Sequence, residues 1–384
     1  GGFDGSNTFN DLWALDLTTH IWEKITTTGT QPSVRRSHTS ILYNGLMVTF
    51  GGADGSNFFN NAWTWDLNSH AWRQLTTTGT KPSARQGHSS IVYNGQMVVF
   101  GGAFIGNDAW TLDLTSYAWT HLTTSGTKPS TRYLHSSILY NGQMVIFGGY
   151  DGNSNKNDVW ALNLTSYNWT QLATTGTKPS ARKTHSSILY DGQMVLFGGA
   201  SGGNKNDVWS LDLTSHDWTE LATSATKPSA RHGHSSVLYN EHMVMFGGYN
   251  GSSRYNDVWT LNLTSYDWTE VTTSTTKPSA RTTHSSILHN GQMVTFGGHD
   301  GSRKNDVWTL NLTSYNWTEV TTSTTKPSAR NGHSSILYNG QMVVFGGRYS
   351  SSGYENDVWT LPLELSTTTT QAPTTTTHTP TTTT

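Results

Sequence analysis

Seven histidines recur at intervals of about 50 residues, and each follows an arginine by three positions. They are His38, His88, His135, His185, His234, His284 and His333. A ring of imidazoles could hold a metal ion, but no carboxylate stands beside these histidines to orient the rings. We therefore predict that each Arg and His hydrogen-bonds backbone carbonyls and hydroxyls between repeats. The sequence predicts no metal site and no cofactor.

One acid also recurs along the repeats, directly before an apolar residue and a tryptophan, as at Asp207 and Asp257. Glycoside hydrolysis needs two carboxylates about 5 to 10 Å apart in different environments. A single acid at one regular position is instead typical of Asn-Asp turns, whose side chains bind backbone N–H groups. The chain has no cysteine, which excludes a thiolate nucleophile, a thiolate metal site and a disulfide. We predict that the protein is not an enzyme.

Composition limits the classes of partner. Lys and Arg number 23 against 25 Asp and Glu, so the net charge is −2, and only 12% of residues are charged. Nucleic acids and membrane surfaces attract basic patches, which such a chain is poorly equipped to form. The 16 Trp, 16 Tyr and 12 Phe supply ample surface to bury. These values predict a soluble globular chain with no membrane span and no nucleic-acid partner.

Each repeat divides into four short strands. Asn290-Gly291 separates two apolar runs, which is a strong hairpin signal because both turn residues must accept positive φ. In 307–312 the Trp and both Leu alternate with polar residues, which is the period of a half-buried strand. A fourth strand surrounds Trp317, and no window shows helical periodicity. Four short antiparallel strands in about 50 residues predict an all-β chain built from β-propeller blades.

The repeats resemble kelch repeats. The resemblance rests on the Arg-x-x-His-Ser-Ser opening, the Phe-Gly-Gly after the second strand and a Trp pair nine residues apart, and it covers residues 1 to about 365. It implies a propeller of six or seven blades and says little about activity. Galactose oxidase, an enzyme on such a propeller, needs a cysteine that is absent here. The Glu-Asp-His pattern of iron-dependent specifier proteins and the Asp boxes of sialidases are absent too.

Strand counts leave the closure of the ring open. There are seven His-marked openings and seven fourth-strand tryptophans, but eight third-strand tryptophans, from Trp13 to Trp359. We predict seven four-stranded antiparallel blades, the seventh combining both chain ends. The surplus third strand means either a different closure or an eighth blade.

The loops of each blade divide into a uniform and a diversified set. The first-to-second and third-to-fourth turns repeat almost unchanged, whereas the second-to-third loops and the residues after each repeated Arg vary. Aromatic, Asn, Asp and Arg side chains in the diversified set suit recognition of a protein or a glycan. We predict a ligand-binding face formed by Arg36, Gln86, Phe104, Tyr133, Lys183, His232, Tyr249, Arg254, Tyr255, His299, Arg303, Arg348 and Tyr349. Neutral drift in exposed loops is the alternative explanation.

Two features suggest an extracellular glycoprotein. Asn-x-Ser/Thr sites occur at Asn163, Asn168, Asn250, Asn262, Asn311 and Asn316. Residues 366–384 form a Thr-rich, Pro-containing tail that resembles mucin-like stalks. Its candidate O-glycosylation sites are Thr367, Thr368, Thr369, Thr370, Thr374, Thr375, Thr376, Thr377, Thr379, Thr381, Thr382, Thr383 and Thr384.

Three functions remain open at this point. The first is an extracellular or cell-surface module, residues 1–365, that binds a protein or glycan. The second is a structural glycoprotein that assembles with copies of itself into a filament or surface appendage through its tail. The third is an intracellular, cytoplasmic kelch scaffold or adaptor.

Overall fold

The computed structural model describes residues 28–54, 56–103, 106–221, 226–320 and 326–348, and the backbone alone of strands 2–3, 8–9, 12–16, 21–25 and 358–362. The described part of the chain contains strands and turns and no helix. The chain begins with β1 (Gly2–Phe3), β2 (Thr8–Phe9), β3 (Leu12–Asp16) and β4 (Ile21–Ile25).

Six blades follow, each a four-stranded antiparallel sheet in chain order. Blade 1 contains β5 (Thr39–Tyr43), β6 (Leu46–Phe50), β7 (Ala62–Asp66) and β8 (Trp72–Gln74); blade 2 contains β9 (Ser89–Tyr93), β10 (Gln96–Phe100), β11 (Ala109–Asp113) and β12 (Trp119–His121); blade 3 contains β13 (Ser136–Tyr140), β14 (Gln143–Phe147), β15 (Val159–Asn163) and β16 (Trp169–Gln171). Blade 4 contains β17 (Ser186–Tyr190), β18 (Gln193–Phe197), β19 (Val208–Asp212) and β20 (Trp218–Glu220); blade 5 contains β21 (Ser235–Tyr239), β22 (His242–Phe246), β23 (Val258–Asn262) and β24 (Trp268–Val271); blade 6 contains β25 (Ser285–His289), β26 (Gln292–Phe296), β27 (Val307–Asn311) and β28 (Trp317–Glu319).

The seventh sheet contains β29 (Ser334–Tyr338), β30 (Gln341–Phe345) and β31 (Val358–Pro362), followed by β3 and β4. Its five strands correct the prediction of seven four-stranded antiparallel blades. The surplus third strand β3 lies outside β31 and pairs with it in parallel. The third strands of all blades run in the same direction relative to the axis of the propeller. Because β3 and β31 are both third strands, they are parallel when they lie side by side.

Local chemistry explains the regular hairpins. In the first-to-second turn of blade 1, Asn44 has φ 46° and Gly45 has φ 74°, as the tight turn requires. The second and third strands are buried almost throughout, because each sheet is covered by a neighbouring blade on both faces.

Aromatic contacts join the blades. In blades 1 to 5 the Phe that ends the second strand packs on the fourth-strand Trp of the next blade; for example, the ring centroids of Phe147 and Trp218 lie 5.2 Å apart. The same contact joins Phe345 of the seventh sheet to Trp72 of blade 1 at 5.1 Å. Each innermost strand also contacts the innermost strand of the next blade, and β29 contacts β5. These strands form a closed ring, in the order β5, β9, β13, β17, β21, β25 and β29.

Candidate functional site

The repeated histidines connect neighbouring blades. Each Nε2 lies within hydrogen-bond distance of a hydroxyl at the start of the preceding blade's innermost strand, as in His185–Ser136 at 2.8 Å. The other pairs are His38–Ser334, His88–Thr39, His135–Ser89, His234–Ser186, His284–Ser235 and His333–Ser285. This confirms the predicted structural role. Burial lowers the pKa of His185 to about 3, with a smaller contribution from the charge of Arg182, so the ring is neutral at pH 7.

The side chains of the repeated arginines act within a blade, which corrects the prediction that their hydrogen bonds connect blades. Arg182 donates to both carboxylate oxygens of Asp207, at 2.7 and 2.6 Å, and to the carbonyl of Gly198 at 3.0 Å. Trp209 Nε1 donates to the same carboxylate at 2.8 Å. Burial opposes ionisation of Asp207, but the hydrogen bonds and charge of Arg182 outweigh it and lower the pKa.

The prediction that this acid caps a turn is therefore wrong, because the carboxylate is taken by a guanidinium 25 residues away in sequence. The preceding Asn instead bonds the loop: Asn206 Nδ2 donates to the carbonyl of Pro228 at 3.1 Å. Equivalent ion pairs are Arg85–Asp108, Arg132–Asp158, Arg231–Asp257 and Arg281–Asp306.

Blade 1 departs from this pattern. Asn61 stands in place of the acid, and its Oδ1 accepts from Arg35 Nη1 at 3.0 Å. Arg35 Nη2 and Trp63 Nε1 are buried and have no hydrogen-bond partner among the described residues. Burial lowers the pKa of Arg35 to about 9, against an opposing contribution from Asp54.

Each Gly-Gly pair lets the next blade approach closely. Gly248 N–H donates to the carbonyl of Arg281 at 2.8 Å. Gly247 has φ 67°, and a Cβ there would lie 2.7 Å from that same carbonyl oxygen. Only glycine fits without displacing the backbone.

The same geometry brings the diversified residues together. In six of the seven repeats, the residue after the repeated Arg pairs, backbone to backbone, with the residue after the Gly-Gly of its own blade. These pairs are Arg36–Ala53, Tyr133–Tyr150, Lys183–Ala200, His232–Tyr249, Thr282–His299 and Asn331–Arg348. A third position across the loop completes the row: Phe58, Asn155, Asn204, Arg254 and Arg303. We call this set of residues the variable face, and we call the first-to-second and third-to-fourth turns the uniform face.

Aromatic and cationic side chains on the variable face contact each other across blades 3 to 5. Tyr133 and Tyr150 pack edge to face with ring centroids 5.6 Å apart. Lys183 Nζ lies 4.5 Å from the centroid of the Tyr150 ring, which joins blades 4 and 3. His232 Nδ1 lies 2.9 Å from Asn204 Oδ1, which joins blades 5 and 4.

Cationic side chains extend this series across blades 5 to 7. Arg254 Nη2 lies 3.0 Å from His299 Nδ1, and Arg303 Nε donates to Asn331 Oδ1 at 3.1 Å. Burial, then the charges of Arg254 and Arg303, lower the pKa of His299. The neutral ring accepts the hydrogen bond from Arg254. Burial, and then the charge of Arg348, lower the pKa of Arg303.

The structure assigns the predicted face residues to different positions. Nine of the predicted residues lie in the variable face: Arg36, Tyr133, Lys183, His232, Tyr249, Arg254, His299, Arg303 and Arg348. The backbone carbonyl of Gln86 accepts from Ala103 N–H at 2.9 Å. Phe104 and Tyr349 lie outside the described residues, as do all thirteen tail threonines.

Tyr255 serves the scaffold. Its ring covers the guanidinium of Arg231, with the centroid 4.0 Å from Cζ, and its hydroxyl accepts from Asn250 Nδ2 at 2.7 Å. Eight members of the variable face were missing from the predicted set, namely Ala53, Phe58, Tyr150, Asn155, Ala200, Asn204, Thr282 and Asn331. Aligning the repeats on the Gly-Gly pair and on the buried Arg would have identified them.

The candidate sequons separate by face. Asn163, Asn262 and Asn311 end third strands, and their Oδ1 atoms accept from backbone N–H groups of the following turn, which leaves Nδ2 outside those bonds. Asn168 and Asn316 are exposed in the same turns. Asn250 alone among the six lies on the loop that carries Tyr249 and Arg254, where its Nδ2 is bonded to Tyr255.

The uniform face offers a small cleft between blades 4 and 5. Its volume is about 200 Å³, and Tyr190, Asp191, Gln193, Leu263, Thr264 and Tyr266 line it. Pockets that enclose small ligands usually reach about 300 Å³ or more. Among the described residues no helix is long and apolar enough to cross a membrane.

Comparison with known proteins defines the class. Residues 99–298 and 288–384 match the family described as the KLHDC2/KLHL20/DRC7 Kelch-repeats domain, which covers more than half of the chain. The protein therefore belongs to the kelch-repeat β-propeller family, a class of protein-interaction modules. Residues 1–169 also match the family described as FBX42, beta-propeller domain.

One similar solved structure is described as "Structure of YjhT". The likeness has a TM-score of 0.55 at 16% identity and covers 72% of this chain and 94% of that chain, so it shows the fold alone. No curated protein matches the sequence.

Proposed function

We propose that this protein binds an extended segment of a partner protein on its variable face, without chemical turnover. The observation that carries the proposal is the connected series from Tyr133 to Arg348. Its side chains differ from blade to blade while the scaffold beneath them repeats. Aromatic and Arg side chains are the residues that most often dominate binding energy at interfaces.

The scaffold favours binding because it fixes these side chains in advance. Lys183 rests on Tyr150, Arg254 on His299, and Arg303 on Asn331. Side chains already held by neighbours lose less rotamer entropy when a ligand arrives. The buried Arg–Asp pairs and the His–hydroxyl ring hold the backbone below them.

A glycan ligand is supported less well. Sugar recognition by aromatic residues uses an open ring face, but the Tyr150 ring carries Lys183 and the Tyr249 ring carries Arg254, with Cζ 5.3 Å from the centroid. We favour a protein partner for this reason.

An extracellular location is part of the proposal, and the position of the sequons supports it. Glycans on Asn163, Asn168, Asn262, Asn311 and Asn316 would occupy the uniform face and leave the variable face open. Filament assembly through the tail stays a prediction, because the tail lies outside the described residues. The intracellular adaptor role also stays a prediction.

Paired face variants test the proposal. Peptides would be selected from a random linear library on the intact protein, and their affinity would then be measured by fluorescence anisotropy. The variable-face variant carries three substitutions together, Tyr133→Ala, Lys183→Ala and Arg303→Ala. We expect it to bind the peptide at least about tenfold more weakly, because each truncated interface anchor costs more than about 1 kcal/mol of binding free energy.

The matched control replaces three exposed residues of the uniform face, Ser166, Ser265 and Ser314, with alanine. Tyr255 is left intact in both variants because its loss would expose Arg231. Binding that fails in the control and persists in the variable-face variant would contradict the proposal, and so would a library that yields no binder.

A further inference from the structure

We infer that the segment bound on the variable face is acidic, with several carboxylates that meet the cations of blades 4 to 7. This inference rests on the proposed function and specifies the chemistry of its partner. It begins from an excess of positive charge that the net charge of −2 does not suggest.

The described variable face carries five cationic side chains. They are Arg36, Lys183, Arg254, Arg303 and Arg348. Two acids of these loops are paired with lysines: Asp151 pairs with Lys156 at 2.5 Å, and Asp300 pairs with Lys304 at 2.7 Å. The contacts of Lys183, Arg254 and Arg303 are instead with a Tyr ring, a neutral His and an Asn amide, none of which carries a negative charge.

The hydrogen-bond balance points the same way. His299 Nδ1 and Asn331 Oδ1 are acceptors, and guanidinium groups of the face already use both. Donors remain, since a guanidinium carries five N–H groups and no acceptor. Arg254 Nε is buried and has no hydrogen-bond partner among the described residues. A buried donor left in this state favours a ligand that supplies oxygen acceptors.

The spacing of the cations favours a chain of acids over a single anion. Lys183, Arg254, Arg303 and Arg348 belong to blade 4, blade 5, blade 6 and the seventh sheet, so one cation faces the ligand from each of four successive blades. Charges of one sign on a common face also attract an oppositely charged segment before contact. An acidic peptide crossing these blades would meet one guanidinium or ammonium group after another.

A direct binding experiment tests the charge. The probe is a fluorescein-labelled Glu-rich peptide, compared with the same peptide carrying Gln at every Glu. We expect the Glu peptide to bind at least about tenfold more tightly and to weaken as salt rises, because exposed charges are screened. We also expect Arg303→Gln and Lys183→Gln each to weaken binding about tenfold, since a charge-assisted hydrogen bond is lost.

The control variant is Arg73→Gln, which removes an exposed cation from the outermost strand of blade 1 and should leave affinity unchanged. Thermal unfolding confirms that each variant is folded. Equal binding of the Gln peptide, or equal losses in Arg73→Gln and Arg303→Gln, would overturn the inference. Binding of a sulfated polysaccharide with no binding of the Glu peptide would overturn it too.

The library selection separates this inference from the proposed function. Selected peptides that bind the variable face without enrichment in Asp and Glu would end the acidic proposal and leave the proposed function standing. Enrichment in Asp and Glu that disappears in selections on the Arg303→Gln and Lys183→Gln variants would support both.

Discussion

Gly347 N–H donates to the carbonyl of Arg35 at 3.0 Å, and this bond joins the seventh sheet to blade 1. The His38–Ser334 contact at 2.8 Å joins the same two blades. Equivalent bonds join every other neighbouring pair, so the inner ring closes by the same contacts that hold successive blades. The N-terminal strands β3 and β4 add the outer part of the seventh sheet.

Removal of residues 1–29 tests how the outer strands contribute. The deletion exposes the edge of β31, and we expect one cooperative thermal transition with Tm lowered by on the order of 5 °C or more. Circular dichroism would follow the transition, with a deletion of 366–384 as the control that leaves Tm unchanged. A truncated protein that melts like its parent would show that the β3–β31 pairing is dispensable.

The buried histidines predict acid sensitivity. The unfolded chain protonates His near pH 6.5, whereas burial lowers the pKa of His88, His135, His185, His234 and His284 to about 3. Between these values the unfolded state binds more protons, so the free energy of unfolding falls as pH drops from about 6.5 toward 3. The expected slope is about 1.4 kcal/mol per pH unit for each such histidine, and above pH 7 it vanishes.

Urea unfolding at a series of pH values measures this slope, and NMR resolves the individual rings. We expect these five imidazoles to stay neutral at pH 5 in the folded protein. Titration of all 16 histidines near pH 6.5 would contradict the buried ring.

Blade 1 predicts a stabilising substitution. Asn61→Asp would supply a carboxylate to Arg35 Nη2 and Trp63 Nε1, the two buried donors that lack partners. We expect the free energy of unfolding to rise by about 1–3 kcal/mol at pH 7. The mirror variant Asp207→Asn should lower it by a similar amount, because Arg182 and Trp209 lose their common acceptor. An Asn61→Asp protein less stable than its parent would contradict this reading of the blade core.

The position of the sequons predicts which sites carry glycans. After secretion from a eukaryotic host, we expect occupancy at Asn163, Asn168, Asn262, Asn311 and Asn316 and none at Asn250, whose Nδ2 is bonded to Tyr255. Peptide mapping after enzymatic deglycosylation reports each site. Full occupancy at Asn250 in a folded protein would show that the Asn250–Tyr255 bond is not maintained.

Sequence reasoning identified what local chemistry determines. The Asn-Gly hairpins, the alternation around Trp308 and the division into two loop sets follow from residues near each other in the chain. The Arg182–Asp207 pair did not, because 25 residues separate its partners and the Asn-Asp turn offered a sufficient local explanation. The Arg254–His299 contact spans 45 residues and two blades, so it depends on how loops of neighbouring blades align.

Strand count was also insufficient to determine pairing. Eight third-strand tryptophans indicate a surplus strand, but the sequence does not determine beside which strand of the seventh sheet it pairs. In the structure β31 takes the place beside β30, and β3 adds to the free edge that remains.

Photo-crosslinking of a bound peptide tests the central claim most directly. A peptide selected on the intact protein would carry a photoreactive residue at successive positions, and mass spectrometry would locate the crosslinks. We predict crosslinks in the segments that contain Tyr133, Tyr150, Lys183, Arg254 and Arg303. Crosslinks confined to the turns at 44–45, 94–95, 191–192 and 214–216 would place the partner on the uniform face and contradict the account.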